Sequence, residues 1–377
     1  MNPPRDVLIV GAGIVGAACA AECARAGFAV TVLDRGPVGG GTTGAGMGHL
    51  VVLDDSPAQF ALTTFSRRLW RELAPALPPA VAFSRCGTLW VAANAEEFEE
   101  VRRKSAAYRQ QGVAAEMLDA AALREAEPNL RPGLSGALRV PDDAVVYPPA
   151  AAVFLLEQAR HHGAQVHLGT RVESLGADGT VLLADGSRRS AGVVVNATGC
   201  WAPSLTPGLP VRKRKGHLVI TDRYPGYVHH QLVELGYLQS AHGTTADSVA
   251  FNLQPRSNGQ MLLGSSRQFD AEDAEVDHAL LARMIQRALA YLPTLSRLSA
   301  VRVWTGHRAA TPDKLPLIGP SLLGGRLWLA TGHEGLGITT SLATGRLLAD
   351  QLLGRRPEIP VEPYQPARFA AAVPDHG

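Results

Sequence analysis

The 377-residue sequence predicts an α/β protein (α+β overall): a Rossmann-like, doubly wound nucleotide-binding domain with an antiparallel-sheet domain inserted into it. Three observations point there. The chain opens on an apolar run, a GxGxxG turn, an Ala-rich helical pattern, a second apolar run and an acid, all within Val7–Asp34. It closes on a strand, Gly-rich turn and helix pattern, at Arg326–Thr331 and Gly337–Leu353. Between the two lies material that alternates with the period of antiparallel strands.

In the first unit Val7–Val10 reads as a strand buried on both faces, and the helix runs from the glycine turn to about Arg25, with Gly27 as its stop. Gly11 permits the tight turn, Gly13 lets a pyrophosphate approach the backbone, and Gly16 lets helix and strand pack closely. Ala12, Ile14 and Val15 fill the remaining turn and first helical positions, whose N–H groups suit a phosphate. Asp34, closing the strand Ala29–Leu33, suits ribose hydroxyls and disfavours a ribose phosphate, so FAD or NAD is expected over NADP. Because every part falls within the ~30-residue unit this motif needs, an adenine dinucleotide outweighs a βαβ turn that binds nothing.

The Gly/Thr stretch Gly39–His49 reads as a loop wrapping a phosphate or a ring edge, the alternative being a flexible linker. Helical patterns follow at Pro57–Leu77, Ala95–Gln111 (its charge run a solvated face), Asp119–Ala126 and Ala151–His162, with a strand at Cys86–Ala92. Pro141–Ala150 marks a crossing. Gln165–Leu168, Thr170–Leu175 and Thr180–Leu183 read as strands, with a turn at Asp185-Gly186. Val193–Gly199 is a buried strand and small-residue turn, expected to return the chain to the edge of the first sheet. Leu218–Thr221, Val249–Gln254, Met261–Gly264 and Ser299–Trp304 are further strands, interrupted by a helix at Asp277–Tyr291. The pattern divides the chain into a discontinuous nucleotide domain (1–80, 142–212 and 307–377) and an inserted substrate domain (81–141 and 213–306), with a ligand cleft between them.

Composition narrows the function classes. A 46% hydrophobic content supplies a large core, and a net charge of +2 implies no polyanion partner. The four cysteines, Cys19, Cys23, Cys86 and Cys200, form no CxxC pair, so neither a zinc site nor an iron–sulfur cluster is expected, and no metal ligands are assigned. Met1–Asp6 is too short and polar for a signal peptide, and no apolar run reaches the ~18 residues of a membrane span. The chain reads as soluble and cytoplasmic.

Four stretches resemble the D-amino-acid oxidase-like (glycine/sarcosine oxidase) family of FAD enzymes. They are GAGIVG with Asp34, GTTGAGMGHL, VVVNATGCWA, and the pair GHRAATPDKLPLIGP and ATGHEGLGITTSLATGRLLAD. The resemblance spans nearly the whole chain and selects non-covalent FAD over NAD. It implies flavin contacts from Arg35, Thr42, Thr43, Gly46, Met47, Gly48, Val172, Ala197, Thr198, Gly199 and Trp201. Gly332, His333, Gly335, Leu336, Gly337, Ile338 and Thr339 are expected beside the isoalloxazine, where a helix N-terminus stabilises negative charge. Arg308 matches the arginine that grips the substrate carboxylate, its alternative being a surface or interface arginine. His307 and Ala309 replace the usual leucine and proline of that motif. His49 and His333 are candidates to shape the pocket or hold the neutral amine, or else are structural histidines.

The finer resemblance, carried by GMGHLVVLDDSPAQFALT, is to β subunits of heteromeric D-hydroxyproline dehydrogenase, sarcosine oxidase and opine oxidase. It implies hydride transfer from a secondary or D-amino acid, D-4-hydroxyproline first. It also implies partner chains, a flavin-bearing α subunit and an iron–sulfur small subunit. Opine, sarcosine or glycine oxidation is the rival chemistry, and a non-catalytic electron-relay subunit is the rival from another class. The strand Gln260–Ser266 lacks the lysine of oxygen-using sarcosine oxidases, which favours a dehydrogenase. The basic patch Val211–Lys215 reads either as an FMN phosphate site at a subunit interface, through Lys213, Arg214 and Lys215, or as a solvated basic turn or a contact to an acidic partner.

Overall fold

The computed structural model describes residues 6–236, 247–269 and 271–372; the segment read at Met1–Asp6 lies outside them but for Asp6. The chain opens as expected, with β1 (Asp6–Val10), α1 (Ile14–Arg25) and β2 (Ala29–Asp34). β1 and β2 belong to a six-stranded sheet ordered Leu317–Pro320, Leu327–Thr331, Val193–Asn196, β1, β2, Gln165–Leu168. All pairs are parallel except the first, which is antiparallel.

Val193–Asn196 therefore lies inside this sheet, between β1 and Leu327–Thr331, and not at its edge. All four of its residues are buried, which is why its sequence runs apolar without alternation. α1 packs against Gly337–Leu352 on one side and Pro148–His161 on the other, so the helices from both chain ends share one core. The helix at 148–161 starts earlier than the reading at Ala151, because Pro148 and Pro149 occupy first-turn positions where a missing N–H costs nothing. Val172–Leu175, Thr180–Leu183 and Arg188–Ser190 form a small antiparallel sheet of their own.

The second large sheet has eight strands, ordered Ala300–Ala310, Arg212–Thr221, Met261–Phe269, Ser248–Pro255, Gln231–Glu234, Thr88–Ala92, Gly136–Val140, Glu116–Asp119. Its pairs are antiparallel except Gln231–Glu234 with Thr88–Ala92. The basic patch is not a turn: Arg212–Lys215 begins a ten-residue strand whose register pairs Arg214 with Arg308. Strand Ala300–Ala310 runs well past the end expected at Trp304, so the divisions read at 212/213 and 306/307 both fall inside strands of this sheet. The Gly/Thr loop is likewise more ordered than a loop, holding a helical turn at Thr42–Ala45 and a short strand at His49–Leu50. The helices at 57–73 and 120–126 begin at polar caps, Ser56 accepting from the Gln59 N–H and Asp119 from Ala121 and Ala122. Cys19 and Cys23 are buried, and desolvation pushes the Cys23 thiol up to about 12, as suits small core residues.

Candidate functional site

A cavity of about 680 Å³ runs from the β1–α1 turn, between the two large sheets, to Arg308. Its first wall is the glycine turn, where the three glycines do different work. A Cβ on Gly16 would sit 1.9 Å from the Gly11 carbonyl oxygen, and one on Gly11 (φ +115°) 2.5 Å from that of Ala197. These two glycines are required by the chain packing on itself. A Cβ on Gly13 would meet only the Thr43 hydroxyl, at 3.2 Å, so this glycine keeps space open on the cavity side. The Ile14 N–H at the start of α1 donates to Thr43 Oγ1 (3.0 Å), while Thr42 Oγ1 donates to the His307 carbonyl (2.7 Å) and ties this wall to the eight-stranded sheet. Asp34 accepts the Ala12 N–H (2.6 Å) and the Gly36 N–H (2.8 Å), which holds its carboxylate at the cavity rim. The Arg35 guanidinium lies over the Trp201 ring, 4.8 Å from its centre.

Of the residues expected at the site, Gly11, Gly13, Ile14, Val15, Asp34, Arg35, Thr42, Thr43, Gly46, Met47, Gly48 and His49 line this cavity. So do Val172, Ala197, Thr198, Gly199, Trp201, Arg308, Gly332, His333, Gly335, Gly337 and Ile338. Others do not. Ala12 is buried behind the turn and Gly16 lies beneath it. Leu336 lines a smaller side chamber, and the Thr339 hydroxyl donates to the His49 carbonyl (2.8 Å) as a brace. The basic patch is also apart: Lys213 pairs with Glu272 (3.3 Å), Lys215 with Asp273 (2.6 Å) and Arg214 with Glu334.

Arg308 reaches the cavity from strand Ala300–Ala310, its Nη1 donating to the Ser266 carbonyl (3.0 Å). Its cross-strand neighbour Arg214 would repel it, and the Arg214–Glu334 ion pair offsets that charge. The two histidines are held neutral. Burial, reinforced by the Arg256 and Arg308 charges and opposed by the Gln231 hydrogen bond, brings His49 down to about 4. Burial alone brings His333 down to about 3. The Thr344 hydroxyl donates to the Thr340 carbonyl (2.9 Å), so His333 Nε2 must donate to Thr344 (2.9 Å). His49 is bound at both nitrogens, to Gln231 Oε1 and Asn252 Nδ2, which leaves it no atom with which to take a proton from a ligand.

Sequence reasoning missed Gly216, Leu218, Asn252, Ser265, Gly306 and Glu334, all of which line the cavity. Gly216 and Leu218 share one face of a strand, and that alternation was the one signal for them. Asn252 and Ser265 carry no local signal, being delivered by neighbouring strands of the eight-stranded sheet. Among the described residues no group of three or more metal-ligating side chains occurs, and no helix is long and apolar enough to cross a membrane.

The family described as FAD dependent oxidoreductase matches residues 6–351, nearly the whole of this fold. The chain belongs to that family. It is 29% identical to the hydrogen cyanide synthase subunit HcnC of Pseudomonas aeruginosa, covering 98% of this chain and 97% of the relative. It is 27% identical to a D-amino acid dehydrogenase of Methylobacterium nodulans, covering 97% and 100%. The glycine oxidase of Geobacillus kaustophilus is similar in sequence, at 28% over 98% of each chain. Its crystal structure superposes with a TM-score of 0.86, covering 97% of this chain and 99% of that one. The L-proline dehydrogenase of P. horikoshii shares the fold, with a TM-score of 0.88 at 23% identity over 99% of each chain.

The residues present fit FAD. Gly13 leaves a Cβ-sized space at the helix N-terminus, where phosphate charge is favoured, and an acid stands at the end of β2. At the other end the buried Ser265 hydroxyl has no hydrogen-bond partner among the described residues, so this wall has a polar atom to offer a ligand.

Proposed function

We propose that this chain oxidises the CH–NH bond of a secondary or D-amino acid to an imine, with D-4-hydroxyproline as the first candidate, and that it is the catalytic β subunit of a larger complex. One observation carries the reading: Arg308, a planar carboxylate-binding cation, faces the same cavity as the dinucleotide turn. A purely electron-relaying subunit has no use for such a group there. The amino-acid oxidases and dehydrogenases among the relatives support the reaction class.

Bound FAD supplies the two-electron acceptor for the hydride of the substrate α-carbon. The protein supplies position and charge. Arg308 can hold the carboxylate with two parallel N–H donors. The helix Gly337–Leu352 begins at the cavity wall, so its positive end faces charge that develops there. Loss of hydride from a neutral amine leaves a protonated imine, whose proton passes to solvent. No side chain need act as base, which agrees with a His49 whose two nitrogens are both already bonded.

The lysine-free strand Met261–Phe269 supports a dehydrogenase over an oxygen-using oxidase, with partner chains taking the electrons. The FMN reading gains nothing from the geometry, since a phosphate at Lys213 and Lys215 would compete with Glu272 and Asp273. The test is anaerobic reduction of the purified chain's flavin by D-4-hydroxyproline, D-proline, sarcosine, glycine and an opine. Bleaching by a cyclic D-amino acid followed by slow reoxidation in air is expected. A flavin-loaded chain that none of them bleaches would refute catalysis in this chain.

A further inference from the structure

A side chamber of about 100 Å³ opens beside the large cavity, sharing His49, Asn252, Glu334 and Gly335 with it. The buried polar atoms on its wall with no hydrogen-bond partner among the described residues include Trp90 Nε1, on a residue 2% exposed, and Asn252 Oδ1, on one 6% exposed. The sheet register brings them together. Val233 pairs with Trp90 on one side and with Asn252 on the other, so all three line up across adjacent strands and face the same way. Two strand spacings put the outer Cα atoms about 9.5 Å apart, and the indole fills much of that gap.

The polarity of each orphan is determined by its surroundings. An indole N–H only donates. For Asn252, the Ala144 carbonyl accepts from Gln231 Nε2 (3.1 Å), which turns Gln231 Oε1 toward His49. His49 Nδ1 must then carry the proton, and its Nε2 must accept. Asn252 accordingly presents Nδ2 to His49 (3.2 Å) and keeps Oδ1 as an acceptor. Trp90 Nε1 and Asn252 Oδ1 thus offer the chamber one donor and one acceptor, both costly to leave buried and unmet.

We infer that this chamber is a subsite for a hydroxyl group on the substrate, which accepts from Trp90 Nε1 and donates to Asn252 Oδ1. A hydroxyl is the small group that does both at once. An added carboxylate would set an oxygen against Asn252 Oδ1; of the three cations lining the chamber, Arg214 is paired with Glu334 and Lys314 with Asp55, and the third, Arg267, makes a diacid a necessary comparison. An ammonium would set hydrogens against the indole N–H. The inference rests on the proposed amino-acid chemistry and narrows it to hydroxylated substrates, His49 and Gln231 acting as positioning residues for Asn252.

The test uses the flavin-loaded chain and ligands that cannot be oxidised, so that binding is read apart from turnover. Cyclopentanecarboxylate, its cis and trans 3-hydroxy derivatives and cis-1,3-cyclopentanedicarboxylate are titrated against the flavin absorbance spectrum. One hydroxy isomer should bind about tenfold tighter than the parent acid, the worth of one or two net hydrogen bonds. Trp90→Phe should remove that gain while leaving the parent's affinity within about twofold, and Asn252→Leu should remove the difference between the hydroxy acid and the parent. His49→Leu should also reduce it, and adding Asn252→Asp, whose oxygens both accept, should restore it. Equal binding of all the monoacids, binding of none of them, a gain that survives both single substitutions, or tightest binding of the diacid overturns the inference. Anaerobic bleaching by D-4-hydroxyproline in the same preparation judges the redox proposal separately. A chain that prefers the hydroxy acid without being reduced would keep the subsite and lose the reaction.

Discussion

Gly216→Ala tests the carboxylate clamp without touching the arginine itself. A Cβ at Gly216 would lie 2.6 and 2.8 Å from the two terminal nitrogens of Arg308 and 2.9 Å from the Ser266 carbonyl, against 3.4 Å or more for ordinary contact. The guanidinium must yield by about 0.8 Å at its nearer nitrogen and the strands by a few tenths of an ångström at the Ser266 carbonyl, and misplacement on the 1 Å scale costs up to about a hundredfold in rate or binding. It must also loosen its bond to the Ser266 carbonyl. Losing one of two charge-assisted hydrogen bonds to the substrate is worth about 1.5–3 kcal/mol, or roughly ten- to hundredfold in KM. The assay is steady-state kinetics with an artificial electron acceptor, alongside flavin content and thermal unfolding. KM should rise by that factor with full flavin occupancy. In an Arg308→Ala background the same substitution should add less than about twofold, because the two changes remove one interaction. An unchanged KM, or the same penalty in both backgrounds, would refute the assignment of Arg308.

Gly13→Ala should fold but hold flavin weakly, whereas Gly16→Ala should fail to fold, its Cβ having only 1.9 Å to the Gly11 oxygen; flavin content and circular dichroism separate the two. Stability should fall on acidification. His49 and His333 titrate near 4 and 3 in the native state against 6.5 when unfolded, so below pH 6.5 the unfolded chain binds protons the native chain refuses. Asp143, raised by burial to about 6, takes a proton in the native state first and offsets part of this. From these three groups the net loss between pH 6.5 and 4.5 is roughly 3 kcal/mol, checked by urea unfolding across that range; a flat profile would contradict it. Arg67→Ala strands the fully buried Asp143 carboxylate without its 2.9 Å partner and should cost about 3–5 kcal/mol by the same measurement, less if the carboxyl stays protonated.

The sequence by itself determined the parts of this protein whose causes are local. The β1–α1–β2 unit was legible because its glycines, helix start and terminal acid answer to constraints within thirty or so residues, and all three glycines behave as their positions required. Most of the expected flavin-loop residues do line one cavity, since each loop announces itself by glycine content and by the strand or helix it borders.

What needed the tertiary structure is what strand order and register decide. Val193–Asn196 reads the same whether it lies at an edge or in the middle, and only pairing with β1 and Leu327–Thr331 places it inside. Lys213 and Lys215 look like a phosphate site until a turn 58 or 59 residues away brings Glu272 and Asp273 beside them. His49 looked able to act on a ligand until residues 182 and 203 positions distant, Gln231 and Asn252, engaged both its nitrogens. Trp90, Val233 and Asn252 share a face only because three strands from separate parts of the chain lie side by side. Charge, tautomer and hydrogen-bond vacancy depend on neighbours in space, and no window along the chain contains them.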